Sequence, residues 1–92
     1  MEQKFQTIHP SGKSYVNTDK QKYHLIKDLI LKSLKQKQLT FTDLTNQIKK
    51  ELKSNFQGSI PWYTEVVKLD LEARKLIQRI PNTKPQLYKL NK

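Results

Sequence analysis

Gly58-Ser59-Ile60-Pro61-Trp62-Tyr63-Thr64-Glu65-Val66-Val67-Lys68-Leu69-Asp70-Leu71-Glu72-Ala73-Arg74-Lys75-Leu76 reads as a turn followed by one long helix. The Ser59 hydroxyl can accept from the first free amides, and Pro61 falls in the first turn, where a missing N–H costs nothing. At about 100° per residue, Ile60, Trp62, Tyr63, Val66, Val67, Leu69, Leu71, Ala73 and Leu76 cover a broad apolar arc. A narrow stripe of Thr64, Glu65, Lys68, Glu72 and Lys75 is left for solvent. Asp70 and Arg74 stand four apart and can pair at the margin of the arc. Downstream, Ile77-Gln78-Arg79-Ile80 is extended, Pro81-Asn82-Thr83-Lys84-Pro85 interrupts, and Gln86-Leu87-Tyr88-Lys89-Leu90 resumes. A helix therefore feeds a short hairpin.

Two more helices precede it. Thr18-Asp19-Lys20-Gln21 has capping-box spacing and opens the first, with Tyr23, Ile26, Ile30 and Leu34 as its stripe and Leu25 and Leu29 widening it. Lys35-Gln36-Lys37-Gln38 is a polar exit, and Leu39-Thr40-Phe41 suits a short strand. Thr42 is the expected cap of the second helix, with Asp43 in its first turn. Leu44, Ile48 and Leu52 make its core stripe, Phe56 closes it and Gln57-Gly58 turns the chain. Residues 1–18 alternate weakly around His9-Pro10-Ser11-Gly12-Lys13 and read as an N-terminal extended arm or loose hairpin. Residues 19–92 then form the domain: helix, short strand, helix, helix, strand, wing, strand. That order is the winged helix-turn-helix, mainly α with a small C-terminal β-hairpin. Ile30, Leu34, Leu44, Ile48, Val67, Leu71 and Leu76 are its expected core.

Pro61-Trp62-Tyr63 followed by Val67-Lys68-Leu69-Asp70-Leu71-Glu72-Ala73-Arg74 resembles the signature of a small family of uncharacterised bacterial single-domain proteins. His9-Pro10-Ser11-Gly12-Lys13 and Asp19-x-x-Lys22-Tyr23 resemble that family's N-terminal pattern, and the likeness covers most of the chain. It implies a winged-helix fold and carries no site residue with it. Leu71-Glu72-Ala73-Arg74-Lys75-Leu76-Ile77 is also similar to the end of the recognition helix in winged-helix repressors, where a glycine often stands in the place of Lys75.

Ninety-two residues make one domain with a modest core. There is no cysteine, hence neither disulfide framework nor thiolate metal site. No apolar run approaches a membrane span or a signal-peptide core, so a cytoplasmic protein is expected. Gly12-Lys13-Ser14 matches the end of a P-loop, but Thr7 stands where that motif needs glycine and no helix follows. At most it is an anion-binding turn. His24 lies among Lys20, Lys27 and Asp28 and reads as a solvated histidine, with His9 the only other one. Glu65 and Glu72 share a face without a histidine, cysteine or pocket beside them, so no enzyme, metal or cofactor is expected.

The net charge of +10 favours polyanions. Residues 19–38 hold six lysines against two aspartates, and residues 81–92 hold three lysines and no acid. Residues 59–80 hold four cations against three acids and are nearly neutral. Sixteen of the 18 cations are lysine, a point charge for phosphate, and two are arginine, the usual guanine reader. An AT-rich coding sequence would produce the same lysine excess.

In a helix-turn-helix the third helix enters the major groove, which makes Ser59, Thr64, Lys68 and Lys75 the candidate base-side contacts. Glu65 and Glu72 on the same strip oppose phosphate. Lys84 and Lys89 in and behind the wing, with Lys92, are the candidate phosphate contacts. Trp62 and Tyr63 could stack unpaired bases, yet at helical spacing in an apolar arc they read as core. The expected function is nucleic-acid binding, duplex DNA above all, through phosphate contacts from the wing and the first helix, as in a transcriptional regulator. The alternative is a protein-interaction winged helix whose acid-bearing third helix docks a partner.

Overall fold

The computed structural model describes residues 3–91, so Lys92, expected behind the wing, lies outside the described residues. Over the described residues three helices and two small antiparallel sheets make a mixed α+β structure, where a mainly helical one was expected. The difference lies at the N-terminus. There β1 (Lys4–Ile8) and β2 (Ser14–Asp19) pair antiparallel with Phe5 opposite Thr18 and a bulge between Gln6 and Ile8. Beside the bulge the buried Thr7 hydroxyl donates to Val16 O at 2.7 Å and accepts from Val16 N at 3.1 Å. A side chain thus satisfies backbone groups of the facing strand. Gly12, at the tip, has a φ of 92°, where only glycine sits without strain.

Neither early cap falls on the expected threonine: the first lies one residue later, the second two residues earlier. Asp19 caps α1 (Lys20–Gln36), its carboxylate accepting from Lys22 N at 3.0 Å. Thr18 is instead buried in the hairpin, its hydroxyl donating to Phe5 O at 3.1 Å. Thr40, not Thr42, caps α2 (Phe41–Leu52) by accepting from Asp43 N at 3.1 Å. It also ends β3 (Leu39–Thr40), so Phe41 is helical and strand and cap share one residue. Ser59 caps α3 (Ile60–Ala73) as expected, accepting from Trp62 N at 3.2 Å, with Pro61 in the first turn.

α3 stops at Ala73, because Lys75 takes the left-handed conformation with φ 64°. Lys75 N donates to Glu72 O at 3.0 Å and Leu76 N to Leu71 O at 2.9 Å, the paired bonds of a Schellman ending. That places Lys75 where glycine would be least strained. β4 (Ile77–Arg79) pairs with β5 (Leu87–Leu90), Gln78 opposite Lys89 and Arg79 opposite Tyr88. β3 adds to the other edge of β5, Leu39 opposite Tyr88, giving the order β3-β5-β4.

The three helices and this sheet enclose one core around Tyr23, Ile26, Ile30, Leu34, Leu44, Ile48, Val67, Leu71, Ile77 and Tyr88. Leu76 is not in it. The chain has left the helix by then, so Leu76 is 40% exposed and Ile77 fills the core position. The N-terminal hairpin is fastened to the outside of this core. Ile8 N donates to Asp70 Oδ1 at 2.8 Å, and Phe5 stacks on Tyr23 at 4.0 Å between ring centroids.

Candidate nucleic-acid interface

Of the six candidate contacts, the structure turns two inward. Thr64 is fully buried and Lys68 is 2% exposed, although both belong to the stripe assigned to solvent. The cause is the sheet. Tyr88 of β5 puts its ring 4.7 Å from Lys68 Nζ and Phe41 of α2 lies at 5.9 Å, covering that side of α3. Lys68 Nζ is then held by Glu72 at 3.0 Å and Glu65 at 3.2 Å. Burial alone pushes the ammonium down; the charge and hydrogen bond of Glu72, with Tyr88 and Glu65, overcome it, and the proton is held more tightly than usual. Arg79 reaches across from β4 and donates to Glu72 Oε1 at 2.6 Å.

A second cluster occupies the opposite flank of α3. Asp70 is fully buried and accepts from Ile8 N, from Arg74 Nε at 2.8 Å and from the Tyr23 hydroxyl. The Asp70–Arg74 pair foreseen at the margin of the helix forms there, with the carboxylate buried and the guanidinium side chain still partly open to solvent. Burial first, then Asp70, raises the Tyr23 phenol well above its usual value. Arg74 also lies over the Phe5 ring at 5.1 Å.

Both arginines are therefore committed to internal carboxylates. Lys68, Arg74 and Arg79 balance Glu65, Asp70 and Glu72, so the whole excess of +10 rides on the other fifteen lysines. Among them Lys20, Lys32, Lys35 and Lys37 on and after α1, Lys49, Lys50 and Lys53 on and after α2, and Lys84 in the 80–86 turn are exposed. Lys75 is exposed just beyond α3, and Lys89 is half-buried on β5. Ser59 is exposed, but its hydroxyl is engaged in the cap.

The face α3 does turn outward is apolar. Trp62, expected in the core, is 45% exposed, and Leu69 and Ala73 follow half-buried on the same side. Glu65 is the only charge on that strip, and Leu76 extends it past the helix end. Tyr63 is half-buried, its hydroxyl accepting from Asp19 N at 3.3 Å. At the hairpin tip, three amides that could have held an anion are used internally. His9 N donates to Lys13 O, Gly12 N to His9 O and Ser11 N to His9 Nδ1.

Among the described residues no three His, Asp or Glu side chains converge as a metal would require, and no helix is long and apolar enough to cross a membrane. No curated protein and no solved structure matches the chain. One family does, over residues 4–88, a span running from the first strand of the hairpin to Tyr88 at the centre of the sheet. By that match the chain belongs to DUF6958, a family of unknown function.

Proposed function

We propose that this chain is a non-catalytic, cytoplasmic winged helix-turn-helix protein that binds nucleic acid, duplex DNA first, by lysine–phosphate contacts without base readout from α3. The fold part of the reading is supported by the order α1-β3-α2-α3-β4-β5, with the 80–86 turn as the wing. The binding part rests on one observation: ion pairs with three acids of α3 engage Lys68 and both arginines, so the remaining excess of +10 is carried by lysine alone. Lysine acts on phosphate as a point charge and carries little sequence information. α3 offers no outward cation along its length, so major-groove reading by that helix has no donor set.

The test is a titration of labelled duplex at several salt concentrations. Each phosphate contact contributes a slope of about −0.9 in log K against log salt. Lys84→Gln with Lys89→Gln should therefore flatten the slope by roughly 1.8 and weaken all sequences alike. Absence of binding at low salt would refute the proposal. The second reading, a protein-docking module, is favoured by the apolar strip Trp62–Leu69–Leu76 and would take over on that result.

A further inference from the structure

We infer that the groove between the first half of α1 and the 53–59 loop, with the aromatic row beside it, receives an unpaired base of a single-stranded nucleic acid. This rests on the nucleic-acid reading above and adds a second mode to it. The groove, of about 250 Å³, is lined by Gln21, Lys22, Leu25, Asn55, Phe56 and Gln57. That is below the roughly 300 Å³ at which drug-sized sites begin and suits a single ring system. Leu25, 41% exposed, and Phe56 supply an apolar floor. Three side-chain amides supply donors and acceptors of the kind that pair with base edges.

The aromatic row continues from that floor. Phe56 meets Tyr63 edge to face at 5.4 Å, and Tyr63 meets Trp62 at 5.0 Å. Lys22 Nζ stands 5.6 Å from the Phe56 centroid and 5.9 Å from that of Tyr63, and makes no ion pair among the described residues. Gly58, at φ 122°, brings the three together: a Cβ there would lie 3.6–3.8 Å from Phe56, Lys22 Nζ and Tyr63. Trp62 is the exposed ring of the row, and Phe56 and Tyr63 are half-buried. Accessible aromatic surface beside a cation is the recurring composition of single-strand sites, because every base has a π-face and every nucleotide a phosphate. A base within a duplex has both faces covered, so an unpaired one is required.

Trp62 is the only tryptophan, so its fluorescence reports on the row directly. The full chain is titrated at low salt with an oligothymidylate of about a dozen nucleotides, within known single-strand site sizes, and with a duplex of equal length. The single strand should quench Trp62 saturably and the duplex should not. By anisotropy of labelled strands, Trp62→Ala should weaken single-strand binding about tenfold or more and leave duplex affinity unchanged. Leu25→Ala, which removes part of the apolar floor without changing the charge, should do the same. Both positions are exposed, and unchanged thermal melts would show that the fold survives. Wild-type single-strand affinity in both variants, with duplex binding intact, would overturn the groove and leave the phosphate reading standing. Failure of the wild type to bind either strand form would overturn both.

Discussion

Asp70→Asn should separate a hairpin that is part of the fold from one that merely rests on it. Asp70 Oδ1 accepts from Ile8 N, while Oδ2 accepts from Tyr23 and from Arg74 Nε. An asparagine of the same shape can still accept from Ile8, but its amide nitrogen replaces the oxygen facing the other two donors. The Tyr23 hydroxyl can turn round and accept. Arg74, whose side chain is 36% exposed, can turn to water, so its pair contributes only roughly 0–1 kcal/mol after screening. The buried bonds from Tyr23 and Ile8 lose their charge assistance, which for bonds to charged groups is worth about 1–2 kcal/mol more than for neutral ones. The sum is a loss of about 2–5 kcal/mol, or on the order of 10–40 °C in melting temperature for a domain of this size. Asp70→Ala should cost more, because two buried donors are left unpaired. The assay is a thermal melt by circular dichroism, with amide exchange at Ile8 read by NMR. A variant melting within about 2 °C of wild type, with Ile8 still protected, would refute the reasoning.

Thr64→Val should raise the melting temperature, because the Thr64 hydroxyl is buried without a partner and removing it relieves a cost of about 1 kcal/mol; a fall would expose a partner or an outward side chain. Lys75→Gly should stabilise by about 0.5–1 kcal/mol in urea unfolding, since Lys75 holds φ 64°. Leu71→Ala, at a fully buried position, should cost on the order of 2–5 kcal/mol in the same assay. Alkali should unfold the protein. Tyr23 and Lys68 both hold their protons more tightly folded than unfolded, so stability is full below about pH 10 and falls as pH rises past it. Tyr23→Phe should flatten that decline in melts across pH 8–11.

Order along the chain was legible because its signals are local. The Ser59 cap with Pro61, the i, i+3, i+4 stripes of the first two helices, and the proline-flanked turn before Gln86 act within a few residues of each other. They determine three helices and a C-terminal hairpin without reference to anything distant. Most of the expected core followed, since Ile30, Leu34, Leu44, Ile48, Val67 and Leu71 lie mid-helix, where phase is unambiguous. Leu76 failed because it sits after the left-handed Lys75, where helical phase no longer applies.

The cap positions were decided by competition rather than propensity. Thr18 has the hydroxyl a cap needs, but pairing with β1 claims it, and Asp19 is left to do the capping. The outward face of α3 could not be read from its own residues at all. Periodicity relates Thr64, Lys68 and Glu72 to one another, yet both a polar stripe and a Trp62–Leu69–Ala73 stripe are consistent with it. What chooses between them is Tyr88, twenty positions after Lys68, whose ring covers the lysine once β5 has paired. Likewise Asp70 meets Ile8 across 62 residues, and no local pattern reports such a contact. Local chemistry determined which elements form; only the packed sheet and hairpin decided which side of α3 remained exposed, because a buried charge is tolerable only where distant partners converge on it.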